Sequence, residues 1–288
     1  MKNDNVLSSL IFIFLIILAI SILIYIFFTL FSTNSSRIYF LNVGEGDSEL
    51  LILPSNIKIM TDAGPQDNVL SELQKILPDW DNYIDLGIIS HPQLDHFNGF
   101  NYLLDHYNFG AFVINGREDV NVKEWKDLIQ KIETKNIPII ILKEGDSISF
   151  KENKIQIISP NNSFLESAEL NDTALVEMIK TKDFKALLTS DIGDNVEKQI
   201  LKYYKDIKSD ILKVAHHGSK YSSSKEFLTA VNPKISVIEV GKNKYGHPSK
   251  EIIDSIAFST KSLIFRTDEN GTIEIKKTGN NLSVTGFK

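Results

Sequence analysis

Two imidazoles and a carboxylate fall within six positions in "SHPQLDHFNG" (residues 90–99), directly after the apolar run "DLGII". The chain has only six histidines, and five of them follow apolar runs that read as strands. His91 follows "LGIIS", His216 and His217 follow "ILKVA", and His247 closes "VIEVGKNKYG". His96 lies five residues beyond His91. Carboxylates recur in the same setting, Asp62 after "IKIMT" and Asp191 after "ALLTS". Functional residues of α/β folds gather where strands end and loops converge. Imidazole nitrogen and carboxylate oxygen are the donors of zinc, manganese or non-haem iron, and catalytic sites combine three or four of them with an open position for water. The sixth histidine, His106 in "LLDHYNF", reads as a solvated helix-end residue.

The elements that must position these groups alternate. "RIYFLNV", "SELLIL" and "IKIMTDAG" read as three successive strands, followed by a helix over 67–77, the strand "LGIIS" and a helix beginning near Phe97. Next come "AFVIN", a helix within 121–135, and the strands "IPIIIL", "SISF", "KIQIIS", "ALVEMIK" and "KALLTSD". A helix over 194–206, "DILKVA", "PKISVIEV", a helix near 249–257, "LIFRT" and "GTIEIKK" complete the pattern. Adjacent strands followed by alternation predict two mixed sheets face to face with helices outside, an αββα four-layer sandwich in one domain over 37–288.

Ahead of that domain, Val6 to Phe31 carries no charge. A bilayer core needs roughly 20 apolar residues in a helix, and the run is too long for the apolar region of a signal peptide. Residues 1–36 are therefore expected to be an N-terminal anchor (transmembrane helix about 6–31) with the polar linker "STNSSR" (32–37) leading into the domain. The bilayer is the partner of that helix, in a single-pass arrangement with the globular domain expected outside the cytoplasm. Lys2 and Arg37 give only a slight charge bias across the span. The chain has no cysteine, so no disulfide constrains it.

Together the motifs resemble the metallo-β-lactamase superfamily, and within it the extracytoplasmic nuclease-like domain of ComEC-type DNA-uptake proteins. "FLNVGEGDSELLILPSNIKIMTDAG" resembles the family's VGxGD…DxG, and "SHPQLDHFNG" its THPxxDHxGG. "NDTALVEMI", "LLTSDI", "LKVAHHGSKYSS" and "VGKNKYGHPS" resemble its NDxSLV, LLTGDI, LKVxHHGSxxS and GxNxxGHPS segments. The resemblance implies the fold above and a divalent cofactor, zinc or manganese, with one or two ions per chain. It makes His91 a ligand of a first site, Asp95, His96 and His217 ligands of a second, and Asp191 the bridge between them. It turns His216 and His247 toward the substrate phosphate, and has Asp62 orient the first histidine from behind.

Four positions depart from the family pattern. Gln93 stands where a His or Asp ligand is usual, and Asn171 of "NDT" where the superfamily often has a ligating histidine. Ser190 and Asn98 each replace a glycine. A glutamine carbonyl is a neutral, weaker donor, so the first site is expected to be weaker or more metal-selective than the second. The expected activity is hydrolysis of a phosphodiester, in DNA before others, by a metal-activated hydroxide, with Asp95 or Asp191 orienting the nucleophile and a protonated His216 or His247 offsetting phosphoryl charge or protonating the leaving group.

Local charge supports a polyanionic substrate. The net charge is −6, yet 213–250 holds seven lysines and two glutamates, a local +5. From this stretch Lys220, Lys242 and Lys244 are expected to meet phosphates, and Tyr245, beside Tyr221, to stack on a base. Two other readings carry different outcomes: a hydrolase of a cell-surface phosphodiester of choline-phosphate or teichoic-acid type, and a metal-poor pseudoenzyme acting as a binding module. Nothing in the sequence indicates an obligate protein partner.

Overall fold

A computed structural model describes the chain except residues 1, 32–34 and 118–120; of 2–8 and 27–31 it describes the backbone course only. Most of the linker expected over 32–37 thus lies outside the described residues.

Helix α1 (Lys2–Phe31) is continuous, and its window Ser9–Ile26 is long and apolar enough to cross a membrane. Beyond it, the described strands form two sheets. The first runs in the order β15-β14-β1-β2-β3-β4-β5-β6 and the second β13-β12-β11-β10-β9-β8-β7. In the first, β1 (Arg37–Phe40), β2 (Glu49–Leu53) and β3 (Ile57–Thr61) are antiparallel, as the short turns between them dictate. Crossovers then make β4 (Tyr83–Ile88), β5 (Asn108–Ile114) and β6 (Ile139–Ile141) parallel to β3. The second sheet repeats this plan. β7 (Ser147–Phe150), β8 (Asn153–Ser159), β9 (Val176–Lys180) and β10 (Lys185–Leu188) form an antiparallel meander. β11 (Ile211–Lys213), β12 (Ile235–Ile238) and β13 (Leu263–Arg266) follow in parallel. β14 (Thr272–Thr278) and β15 (Asn281–Phe287) return to cover the edge beside β1.

Strand alternation sends one set of side chains inward. Ile38, Phe40, Leu51 and Ile59 meet Ile157, Ile179, Ala186, Ile211 and Val237 between the sheets. The opposite face of the first sheet packs under α2 (Asn68–Gln74), α3 (Leu94–Phe97), α4 (Gly99–Leu103) and α5 (Lys123–Thr134), through Phe97, Phe100, Trp125 and Leu128. The outer face of the second sheet packs under α6 (Asn162–Leu165), α7 (Asp194–Tyr203), α8 (Lys225–Val231) and α9 (Lys250–Ser259), chiefly through Val196, Ile200, Phe227, Leu228 and Ile256. The four-layer sandwich expected from the sequence is the observed one. Helix α8, strand β15 and the single turn α6 go beyond that expectation. Helix α8, "KEFLTAV", is too short for its period to stand out, although Ser224 caps it through the Phe227 N–H. Strand β15 is an edge strand with no fully buried residue and a weak alternation.

A buried polar contact joins the two sheets between β3 and β9. The Thr61 hydroxyl donates to Glu177 Oε1 at 2.9 Å, and Glu177 is fully buried with Oε2 unpartnered. Burial pushes its carboxyl up to about 8 against the lowering effect of the Thr61 bond, with Asp62 adding to the rise. The unfolded carboxyl ionises near 4.3, so between that pH and 8 the unfolded chain sheds a proton that the folded chain keeps. Stability therefore falls as pH rises across this window. Glu177→Gln is expected to raise the melting temperature by several degrees at pH 8 and to leave it nearly unchanged at pH 4.5. An equal shift at both pH values would show that Glu177 does not hold this proton.

Candidate metal centre

Every group of the centre sits just past the carboxyl end of a strand or at the start of a helix. Asp62 follows β3, Ser90 and His91 follow β4, and Asp95 and His96 open α3. Ser190 and Asp191 follow β10, His216 and His217 follow β11, and the loop bearing His247 follows β12. Tight geometry is imposed on this backbone: Asp62, Ser190, His216 and His217 all have left-handed φ, +53°, +47°, +52° and +51°. Such conformations cost on the order of 1 kcal/mol or more each outside glycine and persist where the surroundings over-determine them. Position 190 thus suits the glycine of the family pattern. Asn98 does not: its φ is −67°, and its side chain donates to Pro65 O at 2.7 Å.

Asp95, His96, Asp191 and His217 present ligand atoms that all lie within 4.8 Å of one another. Asp191 Oδ2 is 3.4 Å from His96 Nε2, 3.5 Å from His217 Nε2 and 3.7 Å from His216 Nε2; Asp95 Oδ2 is 3.6 Å from His217 Nε2. His96, Asp191 and His217 are buried, yet Asp191 Oδ1 and the Nε2 atoms of both histidines have no hydrogen-bond partner. Unpartnered buried donors and acceptors are rare unless something satisfies them. Two imidazoles and two carboxylates, one of them half-buried at the cavity, are a donor set suited to zinc or manganese.

The far side of each imidazole is anchored. His217 Nδ1 donates to Glu239 O at 2.8 Å, which turns Nε2 toward Asp191. His96 Nδ1 lies 2.8 Å from Asp62 Oδ2. Asp62 therefore orients the second-site histidine, not the first, a correction to the expectation from the resemblance. Its reach to His91 is indirect: Ser90 donates to Asp62 through N–H (2.8 Å) and Oγ (2.5 Å), and the Ser90 hydroxyl lies 3.0 Å from His91 Nδ1. The direction of His96 is set by the helix turn that begins at Leu94, which spacing alone does not reveal.

His91 is fully buried beside His96, with ring centroids 4.2 Å apart and an unpartnered Nε2. It belongs to none of the ligand groups found among the described residues. Burial and the neighbouring His96 lower it to about 4, a neutral imidazole. Gln93 donates to Asn171 Oδ1 at 2.5 Å, and Asn171 Nδ2 lies 3.5 Å from His216 Nε2. The two departures from the family pattern are thus bonded to each other.

Electrostatics converge on the same four residues. Burial would raise the Asp191 carboxyl, but His217 and His96 hold it well below the usual carboxylate range. Burial would lower His96 and His217, but the carboxylates around them, Asp191 foremost, hold both well above the usual imidazole range. Asp95 is likewise brought down to about 2 against burial, chiefly by His96. The cluster demands positive charge. By contrast, burial lowers His216 and His247, so the protein alone does not supply the protonated imidazole expected at one of these positions.

A cavity of about 510 Å³ opens onto the cluster, lined by Gln93, Asp95, Asn171, Asp191, His216, His217, Tyr245 and His247 together with Glu45. Lys220, Lys242 and Lys244 are exposed on the flanking loops and are not in its wall; Lys220 lies over the Tyr221 ring. Lys213 departs further from the sequence reading, since it is fully buried and adds nothing to a basic rim. Its ammonium donates to Asp47 and to Ser190 O (3.0 Å), and lies 3.7 Å from Asp191 Oδ1.

Sequence reasoning passed over four contributors. Asp47 pairs with Lys213 and lies 3.6 Å from His96 Nδ1. Glu45 lies 3.4 Å from His247 Nδ1. Ser90 links Asp62 to His91, and Asn243 pins the last loop by accepting from the N–H groups of Tyr245, Gly246 and His247 at 3.0–3.1 Å. The signal for Asp47 and Glu45 was the "GEGD" step: a side chain at Gly46 would collide with the Asp95 carbonyl and with Pro65, so the loop carrying both acids presses against the site.

No protein-family model matches the chain. Among curated proteins it is 30% identical over 194 residues to ComE operon protein 3 of Bacillus subtilis, covering 67% of this chain and 24% of that protein. It is 34% identical over 90 residues to competence protein ComA of Neisseria gonorrhoeae, covering 31% of this chain and 13% of that protein. The chain thus spans a quarter or less of the length of these relatives. Among solved structures it resembles the metallo-β-lactamase fold protein YhfI of Bacillus subtilis (TM-score 0.56, 11% identity, 83% of this chain, 99% of that one). It also resembles a long form RNase Z from yeast (TM-score 0.51, 14% identity, 84% of this chain, 42% of that one). The chain has the metallo-β-lactamase fold and resembles, in sequence, a segment of the competence proteins of the ComEC type.

Proposed function

We propose that this chain is a membrane-anchored, metal-dependent hydrolase that cleaves phosphodiesters, nucleic acid before others. One observation carries the reading: the ligand atoms of Asp95, His96, Asp191 and His217 converge, those of His96, Asp191 and His217 include buried, unpartnered ones, and Asp95, Asp191 and His217 line an open cavity. The names of the relatives support it from outside, since competence proteins and an RNase both concern nucleic acid. Helix α1 supplies the anchor and leaves 37–288 as the hydrolase domain, outside the cytoplasm.

Those four residues would hold the ion, zinc or manganese, with His91 and the Gln93 carbonyl the weaker candidates for a second. A bound divalent ion lowers the pKa of its water and polarises a phosphoryl oxygen. Around it, Asp95, half-buried at the cavity, accepts a hydrogen bond from the attacking water and orients it. His216 and His247 face the phosphate at the mouth, their ring centroids 5.5 Å apart. The carboxylate of Glu45, 3.4 Å from His247 Nδ1, holds a proton on that nitrogen when phosphate charge arrives, which turns a neutral imidazole into a cationic donor for the leaving oxygen. The buried Asp191 stays ionised throughout.

The deciding test is the purified full chain loaded with manganese, zinc or magnesium and offered single-stranded DNA, duplex DNA and a simple phosphodiester. Metal-dependent cleavage of DNA is the expected result. Cleavage of only the simple diester would favour the cell-surface substrate, and less than about one tight ion per chain with no turnover the pseudoenzyme.

The rim lysines have their own test. Replacing Lys220, Lys242 and Lys244 together by Gln is expected to weaken DNA binding and flatten its salt dependence. The log–log slope should fall by about 0.9 for each duplex phosphate these lysines neutralise, and by about 0.7 on single strands. An unchanged slope would remove them from the interface.

A further inference from the structure

A groove of about 1140 Å³ lies away from the metal centre. Its walls are the segments that precede β10, β11, β12 and β13, whereas the centre lies past the carboxyl ends of β10, β11 and β12. Because β10 to β13 run parallel, the two lie at opposite ends of these strands. Six lysines and two aspartates line the groove. Lys234 is paired with Asp210 at 2.7 Å, but Lys180, Lys182, Lys208 and Lys261 are exposed and have no acidic partner among the described residues. Between them stand two apolar side chains, Phe258 (88% exposed) and Leu263 (63% exposed). Unpaired cations around exposed apolar groups suit an interface that is both anionic and greasy.

The groove is also where the chain enters the domain. Ser36 is buried, and its N–H donates at 2.7 Å to Asp183, a groove residue. Helix α1 ends at Phe31, five residues earlier. Five residues reach at most about 18 Å, so the end of the apolar helix cannot lie farther than that from the wall of the groove.

We propose that this lysine groove is a membrane-docking surface, which seats the domain on the anionic phospholipid headgroups around its own helix and holds the metal centre on the side away from the bilayer. The inference rests on the reading of α1 as a membrane span. Each lysine of a polybasic surface adds to its attraction for an anionic leaflet, a term that decays within a Debye length. Phe258 and Leu263 enter the interfacial zone between the headgroups, while the metal centre stays open to a substrate too large to slip beneath the domain.

The absence of cysteine makes the test direct. Full-length Phe258→Cys, labelled with an environment-sensitive fluorophore, is reconstituted in vesicles of phosphatidylcholine alone or with phosphatidylglycerol, and a Tyr221→Cys protein, labelled near the metal centre, serves as control. The expected result is a blue shift and quenching by lipid-borne nitroxide at position 258 in the anionic vesicles only. The response should vanish in 0.5 M salt and in a Lys182→Glu/Lys208→Glu/Lys261→Glu background, with position 221 silent throughout. No response at 258 in chains that resist carbonate extraction would overturn docking while leaving the anchor intact. Chains stripped by carbonate would overturn the anchor and the docking with it. A response at 258 to an oligonucleotide but not to anionic lipid would make the groove a nucleic-acid surface and overturn the proposal.

Discussion

Asp191→Ala is expected to lose both the bound ion and hydrolysis, with a rate reduction on the order of 10³-fold or more. Asp191 is the one carboxylate within 3.4–3.7 Å of His96, His216 and His217 together, and no described neighbour is placed to substitute for it. Asp62→Asn replaces the carboxylate that backs His96 and accepts from Ser90, and should cost about 10–100-fold in metal affinity. Gln93→Ala should cost little, because the Gln93 side chain bonds Asn171 and stands outside the four-residue cluster. Gln93→His supplies an imidazole donor instead and should raise the metal stoichiometry toward two. Metal content by elemental analysis and hydrolysis rates across the four variants check the series. Retention of metal and activity by Asp191→Ala would remove this residue from the centre.

Lys213→Met is expected to destabilise the domain by about 3–5 kcal/mol, the usual cost of leaving a buried charge without its partner. For a domain of this size that is a fall in melting temperature of about 6–20 °C. The reason lies in what the ammonium holds: Asp47 directly, Asp191 at 3.7 Å, and the Ser190 carbonyl at 3.0 Å. Glu49 and Glu239 are buried nearby, but burial raises both carboxyls, Glu239 to about 8, which leaves Asp47 and Asp191 as the ionised partners of the ammonium. Burial would lower the lysine, but Asp47 and Asp191 hold it above its ordinary range. Lys213→Met/Asp47→Leu removes the pair together and should recover much of the loss, because an apolar pair of similar volume replaces a desolvated ionic one. Thermal melts of both single variants and the double close the cycle; additive losses would mean that the two groups do not interact.

Much of the architecture was legible along the chain because its cause is local. The strand runs from "RIYFLNV" to "GTIEIKK" carry their own periodicity, and the uncharged stretch from Val6 to Phe31 carries its own length. The histidines and aspartates at strand ends could be picked out for the same reason, since a strand end is a sequence feature. Helix α8 and strand β15 escaped notice because their identity comes from neighbours: a cap and the packing of Phe227 in one case, the edge of β14 in the other.

What each side chain faces was decided only by the tertiary structure. Asp62 reads identically whether it supports His91 or His96, and the choice follows from the turn of α3. Lys213 counts as one more charge in a lysine-rich stretch until the fold buries it against Asp47, 166 positions away. Asp47 and Glu45 join the centre because Gly46 lets their loop close on Asp95. Residue type fixes which bonds a group can make, and sequence carries residue type. Which of those bonds forms depends on distance and desolvation, and both are properties of the packed chain.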